Sequence, residues 1–310
     1  MRISTSMIYS QGSSQISNLQ NAMVTSQQHI SADSSILTPA DNPAAAAQVL
    51  NVAQMQSMNT QFTANRQAAE STLNMTSTAL SSVTTLLQSA QSLVISAGDP
   101  TLTAANRSVL AAQVQNDFSS LLSLANSTDA TGNYLFGGYN ISTPPFVQTS
   151  SVVGGVTQNG AQYVGDQGQI QSQVGADQQV TVSTSGSALF QSGGLDIFNT
   201  LNNLANLLST PSLSNGALTA GLSTASDGIT QTLNKVLTAS TTVGATLNQL
   251  SSLDTTGANL DIQYAQNLSN LQGLNYAEAI SQLDQQTTTL QAAQKSFVNI
   301  TNLSLFNYIN

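Results

Sequence analysis

Stepping alternately three and four residues from Val52 gives Val52, Met55, Asn59, Phe62, Arg66, Ala69, Leu73, Thr76, Leu80, Val83, Leu87, Ala90 and Val94, ten of the thirteen apolar. A helical stripe held in phase for about six heptads is the seam of a coiled coil or a long bundle. Its start is marked by Asn42, a capping residue type, and Pro43, suited to the first helical position; Gly98-Asp99-Pro100 marks its end. At 1.5 Å per residue a helix from 43 to 97 extends roughly 80 Å, longer than an ordinary globule is wide. The spacing of Leu110, Val114, Phe118, Leu121 and Ala125 predicts a second helix over about 103–125.

A matching series runs Leu218, Leu222, Ala225, Ile229, Thr232, Val236, Ala239, Val243, Thr246 and Leu250, eight of ten apolar, and reads as the partner of the first rod. It continues through Leu253, Leu260, Tyr264, Leu271 and Leu274, then slips phase at Glu278. The stripe restarts as Tyr276, Ile280, Leu283, Thr287, Leu290, Ala293, Phe297 and Ile300, so a joint is expected at 273–277. Near the start, Ile16, Leu19, Met23 and Ile30 form a stripe that stops before Leu37-Thr38-Pro39-Ala40-Asp41-Asn42-Pro43. Phe198, Leu201, Ala205 and Leu208 give one short helical face, broken by 211–216.

Glycine marks off the middle: 12 of the 20 fall between Gly132 and Gly194. Between turns such as Gly154-Gly155, Gly165-Asp166-Gln167-Gly168 and Gly175-Ala176-Asp177, the residues Ile170, Ser172, Val174, Val180 and Val182 recur with strand period. The expected fold is mainly α with an inserted small β domain, an elongated rod in nested order. A terminal coiled-coil domain (1–43 and 276–310) encloses a helical rod (44–131 and 196–275), which encloses an outer β domain (132–195).

Chemistry is sparse. Only 6% of the residues are charged, and Arg2, Arg66, Arg107, Lys235 and Lys295 are too scattered to neutralise a run of phosphates, so nucleic acid is excluded as a partner. Without cysteine and with His29 as the single histidine, thiolate nucleophiles and multi-His or Cys metal sites are also excluded. His29 reads as a surface or packing residue, the fourteen acids are dispersed, and the glycine pairs lack the spacing and lysine of a phosphate loop. The expectation is a protein with no enzymatic activity and no cofactor. No apolar run is long enough to insert in a membrane, and 1–20 lacks the apolar block of a cleaved secretory signal.

The terminal segments pose an energetic problem. Ordering each residue costs about 1–2 kcal/mol of backbone entropy, which one narrow two-helix seam does not offset. Alone these ends should be disordered in the monomer and should order when further copies bury them. The subunit interface is therefore expected at Ile3, Met7, Ile16, Leu19, Met23, Ile30, Ile280, Leu283, Leu290, Phe297, Ile300, Leu303, Leu305 and Phe306.

Several segments resemble the flagellin-related axial proteins of the bacterial flagellum. They are Met1-Arg2-Ile3-Ser4-Thr5, the turn from Ile30-Ser31-Ala32-Asp33 to Pro39-Ala40-Asp41-Asn42-Pro43-Ala44-Ala45, and the tail from Tyr276-Ala277-Glu278-Ala279-Ile280 to Leu303-Ser304-Leu305-Phe306-Asn307-Tyr308-Ile309. Gly132-Asn133-Tyr134-Leu135-Phe136-Gly137-Gly138 and Tyr163-Val164-Gly165-Asp166 resemble parts of that family's outer domain. The resemblance implies a structural subunit of the junction between hook and filament, adapting one helical lattice to the other. It also implies an extracellular place in the flagellum, reached by type III export without a cleaved signal peptide. Implied partners are the first hook–filament junction protein, flagellin, copies of the chain itself and a cytoplasmic export chaperone on the C-terminal helix at Leu283, Leu290, Phe297 and Ile300. A minor flagellin is the alternative; a secreted binding module in the β domain is a more distant one.

Overall fold

A computed structural model describes residues 5–153 and 156–309. Chain order is α1 (Thr5–Ala32), α2 (Pro43–Ala97), α3 (Ala104–Ala125), β1 (Phe146–Val153), β2 (Val156–Tyr163), β3 (Gln171–Gly175), β4 (Gln178–Thr181), α4 (Gly186–Phe190), α5 (Ile197–Ser209), α6 (Asn215–Gln272) and α7 (Tyr276–Ile309). The fold is mainly α, with β1–β2 and β3–β4 forming two separate antiparallel two-stranded sheets. The Gly154-Gly155 turn and Ile3 lie outside the described residues. Internal contacts divide the chain into two units, residues 1–59 with 258–310, and residues 60–257.

The limits of the helices follow local chemistry. Asn42 Oδ1 accepts from Ala45 N–H at 3.1 Å and caps α2, with Pro43 its first residue. Thr103 caps α3 by accepting from Asn106 N–H, and Asp196 caps α5 by accepting from Asn199 N–H. At the expected joint, α6 stops at Gln272 and α7 begins at Tyr276.

In the unit 60–257, the α2 stripe is buried at Arg66, Ala69, Leu73, Thr76, Leu80, Val83, Leu87, Ala90 and Val94, and the α6 stripe at Leu222, Ala225, Ile229, Thr232, Val236, Val243 and Leu250. Arg66 pairs with Asp254, and Gln91 bonds Ser226 and Thr230, so α2 and α6 run antiparallel. The polar seam positions are satisfied locally: Thr76 donates to Thr72 O and Thr232 to Gly228 O. Among the first stripe positions, Val52 is half-buried and Met55 exposed; burial of the expected seam starts at Asn59.

α5 buries Ile197, Phe198, Leu201, Leu204, Ala205 and Leu208. It approaches α6 closely because Gly221 and Gly228 carry no side chain: a Cβ there would lie 2.4 Å from Leu207 and 2.9 Å from Thr200. Phe198 also joins the helices to the β segment, with ring centroids 5.8 Å from Phe118, 5.2 Å from Phe146 and 6.1 Å from Phe190.

The β segment differs from the expectation in extent. β3 and β4 match the expected hairpin, with Val174 and Val180 buried. The longer β1–β2 hairpin has its strands on either side of Gly154-Gly155, read as a turn from the sequence, but the strands themselves carry no period because Gln148, Thr149, Ser150 and Ser151 interrupt any apolar alternation. Between Gln173 and Gly175 the β3–β4 register shifts, and the two carbonyls at the bulge go to α2: Asn65 Nδ2 donates to Gln173 O at 2.7 Å and Arg66 Nη1 to Val174 O at 3.0 Å. Lys235 ties α6 to the loop after α4, donating to Ser192 O and Oγ.

Candidate subunit interface

In the unit formed by 1–59 and 258–310, α1 packs along α7. The helices approach closely at Gly12, where an added Cβ would lie 2.6 Å from the Phe297 ring; Tyr9 packs on the same ring in a tilted arrangement, 5.1 Å between centroids. At the other end, Ser35 N–H donates to Gln272 O at 2.7 Å, and Asn59 Nδ2 donates to Asp261 Oδ1 at 2.7 Å.

The expected interface residues separate into two sets. Ile16, Leu19, Met23, Ile30, Leu283 and Phe297 are half-buried, and Leu290 is buried at 8% exposure. Thr287 Oγ1 reaches Met23 Sδ across the pair at 3.8 Å. These residues form the contact within the chain. Met7, Ile280 and Ile300 are instead exposed, Met7 at 62%. Leu303, Leu305 and Phe306 belong to α7, and their side chains lie outside those described.

Sequence periodicity missed further exposed members: Ile8, Tyr9, Val24 and Val298 on these two helices, and Leu50, Met58 and Ile262 where α2 and α6 belong to the same unit. Their exposure off the main stripe was the available signal. Among the described residues, every buried apolar side chain except Leu290 lies between Ala69 and Leu250, in the other unit.

Two recesses indent the terminal unit. A groove of about 240 Å³ is lined by Ile8, Gln11, Gly12, Gln15, Ile16, Ala293, Ser296, Phe297 and Ile300. A more polar cleft of about 430 Å³ is lined by Ala22, Thr25, Ser26, His29, Ser35, Leu274, Ala279, Gln282 and Gln286. His29 lies in the last turn of α1 with Nδ1 2.8 Å from Ser34 O, so Nδ1–H donates to that carbonyl and holds the turn. This is the packing role expected of it.

The turn between α1 and α2 is fixed by Asp41, whose carboxylate accepts from Thr38 N–H at 2.7 Å and Leu37 N–H at 2.9 Å. Those backbone donors, Thr38 first, hold the Asp41 carboxyl below the usual carboxylate range. Desolvation, followed by the nearby Asp33 charge, pushes the Tyr276 phenol up. Among the described residues no three His, Cys, Asp or Glu side chains stand close enough to hold a metal ion, and no helix is long and apolar enough to cross a membrane.

Comparison with known proteins agrees with this arrangement. Residues 3–141 match the bacterial flagellin N-terminal helical region. The flagellar junction protein FlgL from Legionella pneumophila shares the fold, with a TM-score of 0.60 at 19% identity over 73% of this chain and 100% of that one. The flagellar hook-associated protein 3 of Salmonella typhimurium is 31% identical over 99% of both chains. That of Escherichia coli is 32% identical, again over 99% of both, and on this full-length relation the chain belongs to the flagellar hook-associated protein 3 family.

Proposed function

We propose that the chain is a structural subunit of the junction between flagellar hook and filament, adapting one helical lattice to the other. The observation that carries this reading is the apolar surface of the terminal unit, with Met7, Ile8, Tyr9, Val24, Ile280, Val298 and Ile300 facing solvent around a helix pair that buries little of its own. Neighbouring copies, together with the first junction protein on one side and flagellin on the other, would cover it. Repeating heterologous contacts of this kind build rings and tubes.

In this reading the terminal coiled coil (1–43 with 276–310) lines the tube, the helical rod (44–131 with 196–275) is a second domain, and the β domain (132–195) faces outward in the assembly. The subunit acts outside the cell and performs no catalysis. It leaves the cell through the flagellar export apparatus without a cleaved signal peptide. A cytoplasmic chaperone holds α7 before export, at Leu283, Leu290, Phe297 and Ile300, the residues that later pack on α1 or on neighbours.

Electron microscopy of cells lacking the gene tests the reading. The expected result is hooks without filaments, with filament protein released to the medium. Filaments of normal length would overturn the junction role, and pure protein polymerising into long filaments would identify a minor flagellin instead.

A further inference from the structure

Among the described residues one cation has nothing to pair with. Arg66 is held by Asp254, Arg107 by the Leu102 carbonyl and Lys235 by Ser192, while Arg2 lies outside the described residues. Lys295, in the second half of α7, is exposed and enters no ion pair or hydrogen bond among the described residues. The chain has fourteen acids and a net charge of −9, so copies repel one another in general. An unpaired cation on the terminal unit is the place where a second copy is attracted instead.

Helix geometry selects the acid that meets it. In the terminal unit Asp33 lies at the Tyr276 hydroxyl, Asp41 accepts from Thr38 and Leu37 N–H, and Asp261 accepts from Asn59. Two exposed acids remain, both on α7: Asp284, and Glu278, whose Oε2 accepts from Asn275 Nδ2 at 3.4 Å while Oε1 bonds none of the described residues. At about 100° per residue, Asp284 lies within about 20° of Lys295 on the same face. Pairing those two would join copies by a two-fold axis and stop at a dimer. Glu278 lies about 100° around the helix from Lys295. The seam of Leu283, Leu290 and Phe297 that packs on α1 takes the remaining side, about 120° from Glu278 and about 140° from Lys295. The helix therefore has three faces: one closed by α1, one carrying Lys295 and one carrying Glu278.

We propose that copies of the chain pack their α7 helices side by side and parallel, with Lys295 of one copy against Glu278 of the next. This rests on the reading that copies build a polar array around the terminal unit, and it names the residues and the offset of that contact. Using different faces for the two neighbours makes the contact heterologous, as such an array requires. Lys295 and Glu278 are 17 residues apart, so neighbours are offset by about 25 Å, half of the 34-residue helix. The second half of each α7 then lies beside the first half of the next, and Val298, 53% exposed, falls level with Ser281 of the second copy. Asp284 falls before the start of the second copy's α7 and opposes none of its acids. An exposed ion pair adds little affinity, so this one fixes the direction and the offset while the overlapping helices supply the contact.

The test uses the full chain in assembled flagella, and the absence of cysteine makes it direct. Glu278→Cys combined with Lys295→Cys, treated with a short bismaleimide, should give a ladder of dimers, trimers and higher species on a denaturing gel. Either single variant, and Asp284→Cys combined with Lys295→Cys, should cross-link about tenfold less, because only the offset contact raises the effective concentration of the two thiols. Charge exchange gives a second measurement. Lys295→Glu and Glu278→Lys should each lower the fraction of hooks that carry filaments about threefold by setting like charges together, and the two combined should restore it. An unchanged helix signal in circular dichroism of each purified chain separates this effect from loss of the Asn275–Glu278 cap. No ladder from the Glu278 and Lys295 cysteines, cross-links confined to the Asp284 and Lys295 cysteines and ending at dimers, or a double exchange no better than either single one would each overturn the contact. Cells lacking the gene would still form hooks without filaments in those cases, so the junction role stands or falls separately.

Discussion

Removing the carboxylate of Asp254 tests how the rod holds its register. Arg66 is only 3% exposed, Asp254 is 34% exposed, and the same guanidinium donates to Val174 O at 3.0 Å and Thr63 Oγ1 at 2.8 Å. Deleting one partner of a buried ion pair costs about 3–5 kcal/mol because the other charge stays in the interior unpaired. Here water reaches the Asp254 side and two acceptors remain, so Asp254→Ala should cost about 2–3 kcal/mol, or roughly 5–10 °C in the melting of a unit this size. Arg66→Met keeps the apolar stem but leaves Val174 O without its donor, an expected loss of about 1–2 kcal/mol. In the Arg66→Met background no buried cation is left to strand, and adding Asp254→Ala should cost under about 0.5 kcal/mol. Urea unfolding followed by circular dichroism measures all four corners of the cycle. Equal cost of Asp254→Ala in both backgrounds would show that the two residues are energetically independent and refute the reasoning.

Two further outcomes follow. Asp117 is 7% exposed on α3 with Oδ2 unpartnered, and burial pushes its carboxyl up against the opposing Gln113 hydrogen bond. The folded state then binds the proton more tightly than the unfolded one, so this group's contribution weakens as pH rises from the ordinary carboxylate range through the raised value. Asp117→Asn should therefore raise the melting temperature at neutral pH and lose that advantage below about pH 4, and a benefit independent of pH would contradict the assignment. In dilute monomer, amide exchange should be fast along α1 and α7 and slow where α2, α3, α5 and α6 share the core; equal protection at both would remove the reason for neighbours to complete the terminal unit.

Much of the architecture was legible because long helices leave redundant marks. The cap at Asn42, Pro43 at the first helical position and the break at Gly98 place α2 before any partner is considered, and the phase slip at Glu278 locates the α6–α7 joint. What was hidden depends on residues far apart in sequence. Arg66 interrupts an apolar stripe, and its role depends on Asp254, 188 residues away, and on a bulge at Val174. The β1–β2 hairpin is set by Asn126, Gln191 and Asn202, neutral side chains that carry no periodic signal. At the terminal unit the stripe marks Ile16, Leu19, Met23 and Leu290 as apolar and assigns them to a subunit interface, whereas in the structure they pack within the chain, because periodicity does not distinguish a face closed by the same chain from one left open, as at Ile280 and Ile300.

The core is uneven along the chain. Between Ala69 and Leu250 one cluster of apolar side chains is buried within the chain, although Ile95, Val109, Val152 and Leu237 stay exposed, so this part holds a core of its own. The terminal helices keep Met7, Tyr9, Val24, Val298 and Ile300 outside a seam whose one buried apolar side chain among the described residues is Leu290. A stronger seam would satisfy the pair in solution and leave less to gain from packing against copies. A weaker one would give neighbours no ordered surface to meet. Gly12 fits this balance, since it lets the Phe297 ring sit against the α1 backbone while lowering the intrinsic helix preference of α1 by about 1 kcal/mol relative to alanine. The pair is fitted closely at Gly12 while Met7, Ile280 and Ile300 stay exposed, the surface that the proposed neighbours would cover.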